Sequence, residues 1–285
     1  MELYIGGPHA ATIWRKDMDL YLVSTTTLWG LCNEKPVDSG RQELAAPGLH
    51  ILESFFYVED WMLPFIDDKA WNFMLDSGAY TFMNNSVTRQ KYETAAGTVD
   101  WDSYVCRYAD FILQHDIDKF FELDIDNVVG LKRVEQLRDL LEHRTSRRCI
   151  PVWHKARGLA NWKATVKEYP YVAIGGIVSG EIKRTQFNYL NAMCDVAHQQ
   201  GTRVHGLGVS PSKGLEKLRF DSVDSTSWTM GNRAGHLDIF TGTGMRKVSR
   251  PPGTRMKARE AAIHNFREWV KYQRYMLHAG WKMES

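Results

Sequence analysis

Three aspartates offer the plainest chemistry in this sequence. Asp76 stands in Leu75-Asp76-Ser77-Gly78-Ala79-Tyr80, and Asp124 in Glu122-Leu123-Asp124-Ile125-Asp126. Asp224 stands in Phe220-Asp221-Ser222-Val223-Asp224-Ser225-Thr226-Ser227-Trp228. Each lies at the end of a short apolar, β-rich run. If those runs are parallel strands, the three carboxylates meet at one mouth, where they repel one another and where burial raises the cost of ionising them. Folding does not require such a cluster. Catalysis uses one: a carboxyl with a raised pKa moves protons, while an ionised one attacks an electrophilic carbon. For any single Asp, capping a helix or a turn is the plainer role.

Other groups sit at equivalent positions. Pro151-Val152-Trp153-His154 closes one apolar run, Ile174-Gly175-Gly176-Ile177-Val178-Ser179-Gly180-Glu181 follows another, and His205-Gly206-Leu207-Gly208 a third. Gly175 and Gly176 carry no side chain, which lets backbone amides approach a ligand closely. Tyr80, Trp153 and His154 offer flat rings for stacking. The stretch Ile239–Arg259 contains no acid and carries Arg246, Lys247, Arg250, Arg255, Lys257 and Arg259, with Pro251-Pro252-Gly253 inside it. It reads as an exposed basic loop suited to phosphates. Arg144, Arg147 and Arg148 form a second basic cluster at a helix end, where cations also complement the macrodipole.

The elements that must position these groups alternate. Strands are expected near Leu20–Val23, Leu49–Phe55, Asn72–Leu75, Phe120–Ile125, Ile150–Trp153, Tyr171–Ile174, Val204–Leu207 and Arg219–Val223. Helical spacing predicts helices over Trp101–His115, Leu131–His143, Leu159–Tyr169, Ile182–Gln200 and Ala258–Leu277. Alternating strand and helix implies a parallel sheet with its helices outside. Eight strands in this length predict a single α/β domain over residues 1–285: a TIM (β/α)8 barrel with insertions, a basic loop at 239–259 and a C-terminal helix at 258–277. A doubly wound sheet is the alternative. In a barrel the active site lies at the C-terminal ends of the strands. The stretch Ser77–Val99 is long for a strand-to-helix connection, and such loops are often functional.

Composition sets the bounds. Of 285 residues, 44% are hydrophobic and 25% charged, which excludes a disordered or collagen-like chain. The formal net charge of +2 excludes a strongly basic nucleic-acid coat but not a local basic patch. Cys32, Cys106, Cys149 and Cys194 are scattered, with no close pair for zinc, and fit a reducing compartment. No apolar run approaches the roughly 18 residues of a membrane span. The expectation is a cytoplasmic protein with no membrane partner.

The motifs DSGAYTF, LDI, IGGIVSGE, GLGV and DSTSW, in that order, resemble the tRNA-guanine transglycosylase superfamily, over roughly Leu75 to Trp228. The resemblance implies a TIM barrel that exchanges guanine for a 7-deazaguanine base. It makes Asp76, with Ser77 and Gly78, the general acid/base motif. It makes Asp124 the residue that holds the base, Gly175, Gly176 and Ile177 a backbone contact to it, and the last motif the source of the nucleophile. Asp224 fits that motif best and Asp221 is the alternative. The cysteine-rich zinc motif of tRNA-acting members is missing. Val152-Trp153-His154 stands where the family has a glutamine-containing motif, and Ala79 replaces its second glycine. A compact member of this kind looks most like the DpdA-type DNA transglycosylases of phages and bacteria.

The implied reaction breaks a C1′–N9 bond through an oxocarbenium-like transition state. Asp224 would attack C1′, and Asp76 would protonate the departing guanine and deprotonate the incoming base. Asp124 would accept hydrogen bonds from the base, and Arg246, Lys247 and Arg250 would bind phosphates of the polymer. The target base must be flipped out or single-stranded. The implied partners are DNA (or, as an alternative, tRNA), a free base such as 7-cyano-7-deazaguanine, and a second copy of the chain or an accessory DNA-binding protein. No cofactor or metal is expected, and the setting is a bacterial or phage-infected cell. Two other readings compete: a barrel enzyme acting on a small phosphorylated substrate, with Asp124 and Asp126 on Mg²⁺, and a binding module without chemistry.

Overall fold

Seven short parallel strands form the sheet that carries the aspartates. The computed structural model describes residues 18–23, 49–64, 66, 70–78, 99–177, 179–183, 186–209, 214–229, 235–249 and 257–277. The strands are β1 (Asp19–Val23), β2 (Leu49–Ser54), β3 (Ala70–Asp76), β4 (Val152–Trp153), β5 (Tyr171–Ile174), β6 (Arg203–Gly206) and β7 (Ser222–Ser225). Their order is β3-β2-β1-β7-β6-β5-β4. Outside them run α1 (Trp101–Gln114), the short α2 (Asp126–Val129), α3 (Leu131–Thr145), α4 (Gly158–Glu168), α5 (Phe187–His198) and α6 (Ala258–Met276).

Every residue of β2 is buried, its polar His50, Glu53 and Ser54 included, as is every residue of β7. The helices are amphipathic. On α1, Trp101, Tyr104, Val105, Tyr108, Ala109 and Ile112 recur at helical spacing and are buried, and the Asp100 side chain caps the helix by accepting from the Ser103 amide.

Among the described residues the continuous sheet has seven strands, not the eight expected, and no continuous ladder closes it. The expected strand Phe120–Ile125 is reduced to two isolated parallel bridges, Leu75 to Phe120 and Phe121 to Ile150. The Phe121 amide donates to Leu75 O at 3.0 Å, and the Glu122 amide donates to Ile150 O at 3.0 Å. One short segment therefore reaches both edges of the sheet, which must curl to allow it. Tyr21, Leu52, Met74, Phe121, Ile150, Val152 and Ala173 pack together inside the curl. Beyond Glu122 the chain turns, with the Ile125 amide on Leu123 O, and α2 begins at Asp126.

Two further expectations change. The strand expected at Arg219–Val223 runs instead over Ser222–Ser225, which moves Asp221 to its start. The basic loop expected from Ile239 is in part a hairpin: β8 (His236–Phe240) pairs antiparallel with β9 (Met245–Ser249). Its turn is closed by the Thr241 amide on Gly244 O at 2.8 Å, with Gly242 at φ +93°. The run of positive charge hid the strand pattern on either side of that turn. Residues 250–256 lie outside the described residues. The predicted C-terminal helix is α6, which holds the hairpin: Trp269 Nε1 donates to Asp238 Oδ2 at 2.8 Å, and the Phe240 amide donates to Glu268 Oε2 at 2.8 Å. Its Gln273 amide reaches Leu20 O in β1 at 2.6 Å. No helix among the described residues is long and apolar enough to cross a membrane.

Candidate active site at the carboxyl end of the sheet

Because the seven strands are parallel, their C-terminal ends open on one side. Asp76 is the last residue of β3 and Asp224 the third of the four residues of β7. Asp124 follows the bridging segment, and His154 follows β4. The negative charges of Asp224, Asp124 and Glu53 all act on Asp76, so the three predicted aspartates converge. Glu53, on β2, is a fourth carboxylate that sequence reasoning missed.

Asp76 is pushed up to about 7. Burial is the largest cause, opposed by the Gly78 amide, which donates to Oδ2 at 3.0 Å, and reinforced by the three neighbouring carboxylates. Gly78 is required twice over. Its φ is +79°, and a Cβ there would lie 2.8 Å from Phe56 Cβ and 3.0 Å from the Tyr104 hydroxyl. That hydroxyl donates to Ser77 O at 2.6 Å and fixes the turn after β3. The Ser77 hydroxyl is buried and has no hydrogen-bond partner among the described residues. Tyr80 lies outside the described residues.

Asp224 is held by one oxygen. The Gly208 amide donates to Oδ1 at 2.7 Å, and His205 Nε2 lies 3.3 Å from the same oxygen. Oδ2 accepts no hydrogen bond among the described residues. Asp221 is different. Its Oδ2 accepts from the Val204 amide at 2.7 Å and meets His198 Nε2 at 2.9 Å. It precedes β7, so it binds strand and helix together at the end away from Asp76.

Asp124 is paired with His154, whose Nε2 lies 2.6 Å from Oδ1, while Nδ1 lies 3.3 Å from Glu181 Oε2. Both ring nitrogens face carboxylate oxygens, which only accept, so both carry protons. Burial works against that charge, but the hydrogen bond and charge of Asp124, with Asp126 beside it, outweigh burial and lift His154 to about 9. Beneath them, Arg157 joins Glu122 at 2.8 Å and Asp126 at 2.8 Å and approaches Asp124 at 4.0 Å. Glu122 is fully buried between Arg157 and Arg138.

This arrangement revises three sequence assignments. His154 is an ion-pair partner of Asp124 rather than a stacking platform. Gly175 and Gly176 make room for that pair rather than for a base: a Cβ on Gly175 would lie 2.6 Å from His154 Cε1, and one on Gly176 2.6 Å from Glu181 Oε2. Trp153 faces the helix layer, where its ring packs edge-on against Trp162 and its Nε1 donates to Gly158 O. It lines a cavity of about 320 Å³ with Lys155, Ile182, Gln186 and Tyr189. Ile177 is half-buried against the same layer.

Asp124, Asp126 and His154 lie close enough for a divalent cation. Their donors are already engaged by protons and by Arg157, so a cation would have to displace both. Arg246 and Lys247 are exposed on β9, and Arg250 lies outside the described residues. Arg157 stood in no motif, and Glu122, Glu181 and His205 stood inside quoted stretches without being given a role. The signal that could have singled them out was a polar residue inside or beside an apolar run.

No protein-family model matches this chain, and no curated protein matches it. Similar solved structures include the carboxyl transferase domain of Rhizobium etli pyruvate carboxylase. The form with 3-bromopyruvate is 14% identical at a TM-score of 0.45, covering 94% of this chain and 49% of that one. The form with 3-hydroxypyruvate is 14% identical at 0.44, covering 95% and 49%. A third, named without a ligand, is 15% identical at 0.43, covering 96% and 50%. The chain thus spans about half the length of those structures.

Proposed function

We propose that this protein is a base-exchange glycosyltransferase that replaces guanine in DNA with a 7-deazaguanine derivative. The sheet and its bridging segment would then be the eight strand positions of a (β/α)8 barrel. One observation carries the reading: a carboxyl lifted to near neutrality, Asp76, shares a mouth with Asp224, a carboxylate bound among the described residues through one oxygen only. The first suits an acid that must give a proton and take one back at the same pH. The second presents a nucleophile.

In this reaction Asp224 Oδ2 bonds to C1′ while the C1′–N9 bond breaks, its electron pair going to N9. Asp76 supplies the proton that guanine carries away. The incoming base then gives its N9 proton to Asp76 and attacks C1′, and the C1′–Oδ2 bond breaks back to the carboxylate. Asp124 Oδ2, which accepts no hydrogen bond among the described residues, is available to the purine's N1–H and amino donors, with His154 holding the other oxygen. Arg246 and Lys247 give the polymer's phosphates a cationic surface.

The test is incubation with guanine-containing DNA and free 7-deazaguanines such as 7-cyano-7-deazaguanine, followed by nucleoside mass spectrometry. Modified nucleoside in DNA with wild type and none with Asp224→Ala supports the reading. Modification of matched RNA alone would move the substrate to tRNA, and no base release from either polymer would overturn it.

A further inference from the structure

We propose that His205 is a positioning residue for Asp224, the third member of a buried hydrogen-bonded chain that fixes which oxygen attacks. The inference rests on the nucleophilic role given to Asp224 above.

The register builds the chain. His205 on β6 pairs with Ser222 on β7, and the two-residue repeat of a strand puts Ser222 and Asp224 on the same face. The imidazole therefore spans the gap between them: Nδ1 lies 2.5 Å from Ser222 Oγ and Nε2 lies 3.3 Å from Asp224 Oδ1. Tyr171, at the start of β5, brings its hydroxyl to 2.5 Å from the same Ser222 Oγ. Burial pushes the Tyr171 phenol well above its ordinary range, so it keeps its proton.

Proton accounting gives the chain a direction. Asp224 Oδ1 only accepts, so His205 Nε2 must donate. In the neutral imidazole Nδ1 is then the acceptor, so Ser222 donates to it and Tyr171 donates to Ser222. Three side chains from three strands thus lead to one carboxylate oxygen, which also receives the Gly208 amide. His205 is fully buried, with Tyr21 and Phe121 against its ring, whereas Asp224 keeps 8% of its surface open. The carboxylate, not the imidazole, therefore faces the substrate.

The consequence is a bias in the covalent step. When Oδ2 bonds to C1′, Oδ1 becomes the carbonyl oxygen of an ester and carries less charge. Donors on Oδ1 favour the free carboxylate over the ester, and so favour its departure when the second base attacks.

The experiment combines chemistry with spectroscopy. His205→Ala should slow base exchange about 10²-fold, the scale of losing one donor from a preorganised site. The fraction of enzyme trapped on DNA in a denaturing gel should rise at the same time. His205→Gln, which keeps a donor near the Nε2 position, should recover much of the rate, and Ser222→Ala should lie between. A merely structural role would lower adduct and rate together and would not be rescued by Gln; either result overturns the proposal. The ¹⁵N spectrum of wild type should have His205 protonated on Nε2, with a shift that moves in Asp224→Asn but not in Asp221→Asn. If wild type forms no adduct, the transglycosylase reading fails, and this spectrum still decides His205: a proton on Nδ1 alone, or no response to Asp224→Asn, overturns its role.

Discussion

His154 Nε2 sits 2.6 Å from Asp124 Oδ1, and the other ring nitrogen faces Glu181. The imidazolium joins two carboxylates that arise from different strand-to-helix connections. A histidine raised from 6.5 to about 9 stabilises the fold fully below pH 6.5 and loses that contribution as pH rises through 9. Wild type should therefore exceed His154→Asn in stability by on the order of 3 kcal/mol at pH 6, and the gap should close by pH 10. Denaturant titrations at the two pH values measure it. A gap that stays constant would mean the pair is not ionic.

The same pairing predicts indifference to chelators. A cation on Asp124, Asp126 and His154 would need a neutral imidazole and would displace Arg157 from Asp126. Base exchange should proceed unchanged after treatment with EDTA. Activity restored only by Mg²⁺ or Mn²⁺ would instead favour metal-assisted chemistry on a small phosphorylated substrate.

Asp76 gives a slope of the same sign at lower pH, but there the ionised form is the unfavourable one. Its carboxyl is raised from 3.8 to about 7, so between those values the native state binds the proton that the unfolded chain has lost. Stability then falls as pH rises from 4 to 7 and stays low above. Asp76→Asn removes the penalty. The variant should be inactive in exchange yet more stable than wild type at pH 8, by up to about 4 kcal/mol, with little difference at pH 4. Unfolding curves at both pH values check this, and an equal difference at the two would contradict it.

Asp221 and Asp224 separate stability from chemistry. Asp221→Ala removes the side-chain acceptor of the Val204 amide and one partner of His198 and should cost about 1–3 kcal/mol, while covalent trapping on DNA survives. Asp224→Ala should abolish trapping. Thermal unfolding and a denaturing gel on both variants distinguish them; the reverse pattern would make Asp221 the nucleophile.

These assignments differ in how far the sequence revealed them. The helix at Trp101–Gln114 was legible within one residue, because its apolar spacing and the Asp100 cap agree with its packing. Asp76, Asp124 and Asp224 were legible as a convergent set because parallel strands send their ends the same way. The expected fourth strand was misread because Glu122 and Leu123 look like its interior, whereas the chain turns there to deliver Glu122 to two arginines. Gly175 and Gly176 looked like a ligand cradle. The side chains that fill their space, His154 and Glu181, come from 21 residues before the first and 5 after the second, a proximity that no local pattern encodes.

The β8–β9 hairpin carries the remaining prediction. Arg246 and Lys247 are consecutive on β9, so their side chains leave opposite faces of the ribbon, and both are exposed. Neither is held in an ion pair among the described residues, so each is available to a phosphate. Each contact to duplex phosphate contributes about 0.9 to the slope of log K against log salt, and about 0.7 if the strand is single. Arg246→Ala with Lys247→Ala should therefore weaken DNA binding most at low salt and reduce that slope by about 1.4 to 1.8. Exchange at saturating DNA should be unchanged, because the hairpin lies outside the carboxylate cluster. Binding isotherms between 50 and 200 mM salt read the slope, and an unaltered slope would move the phosphate contacts elsewhere on the protein.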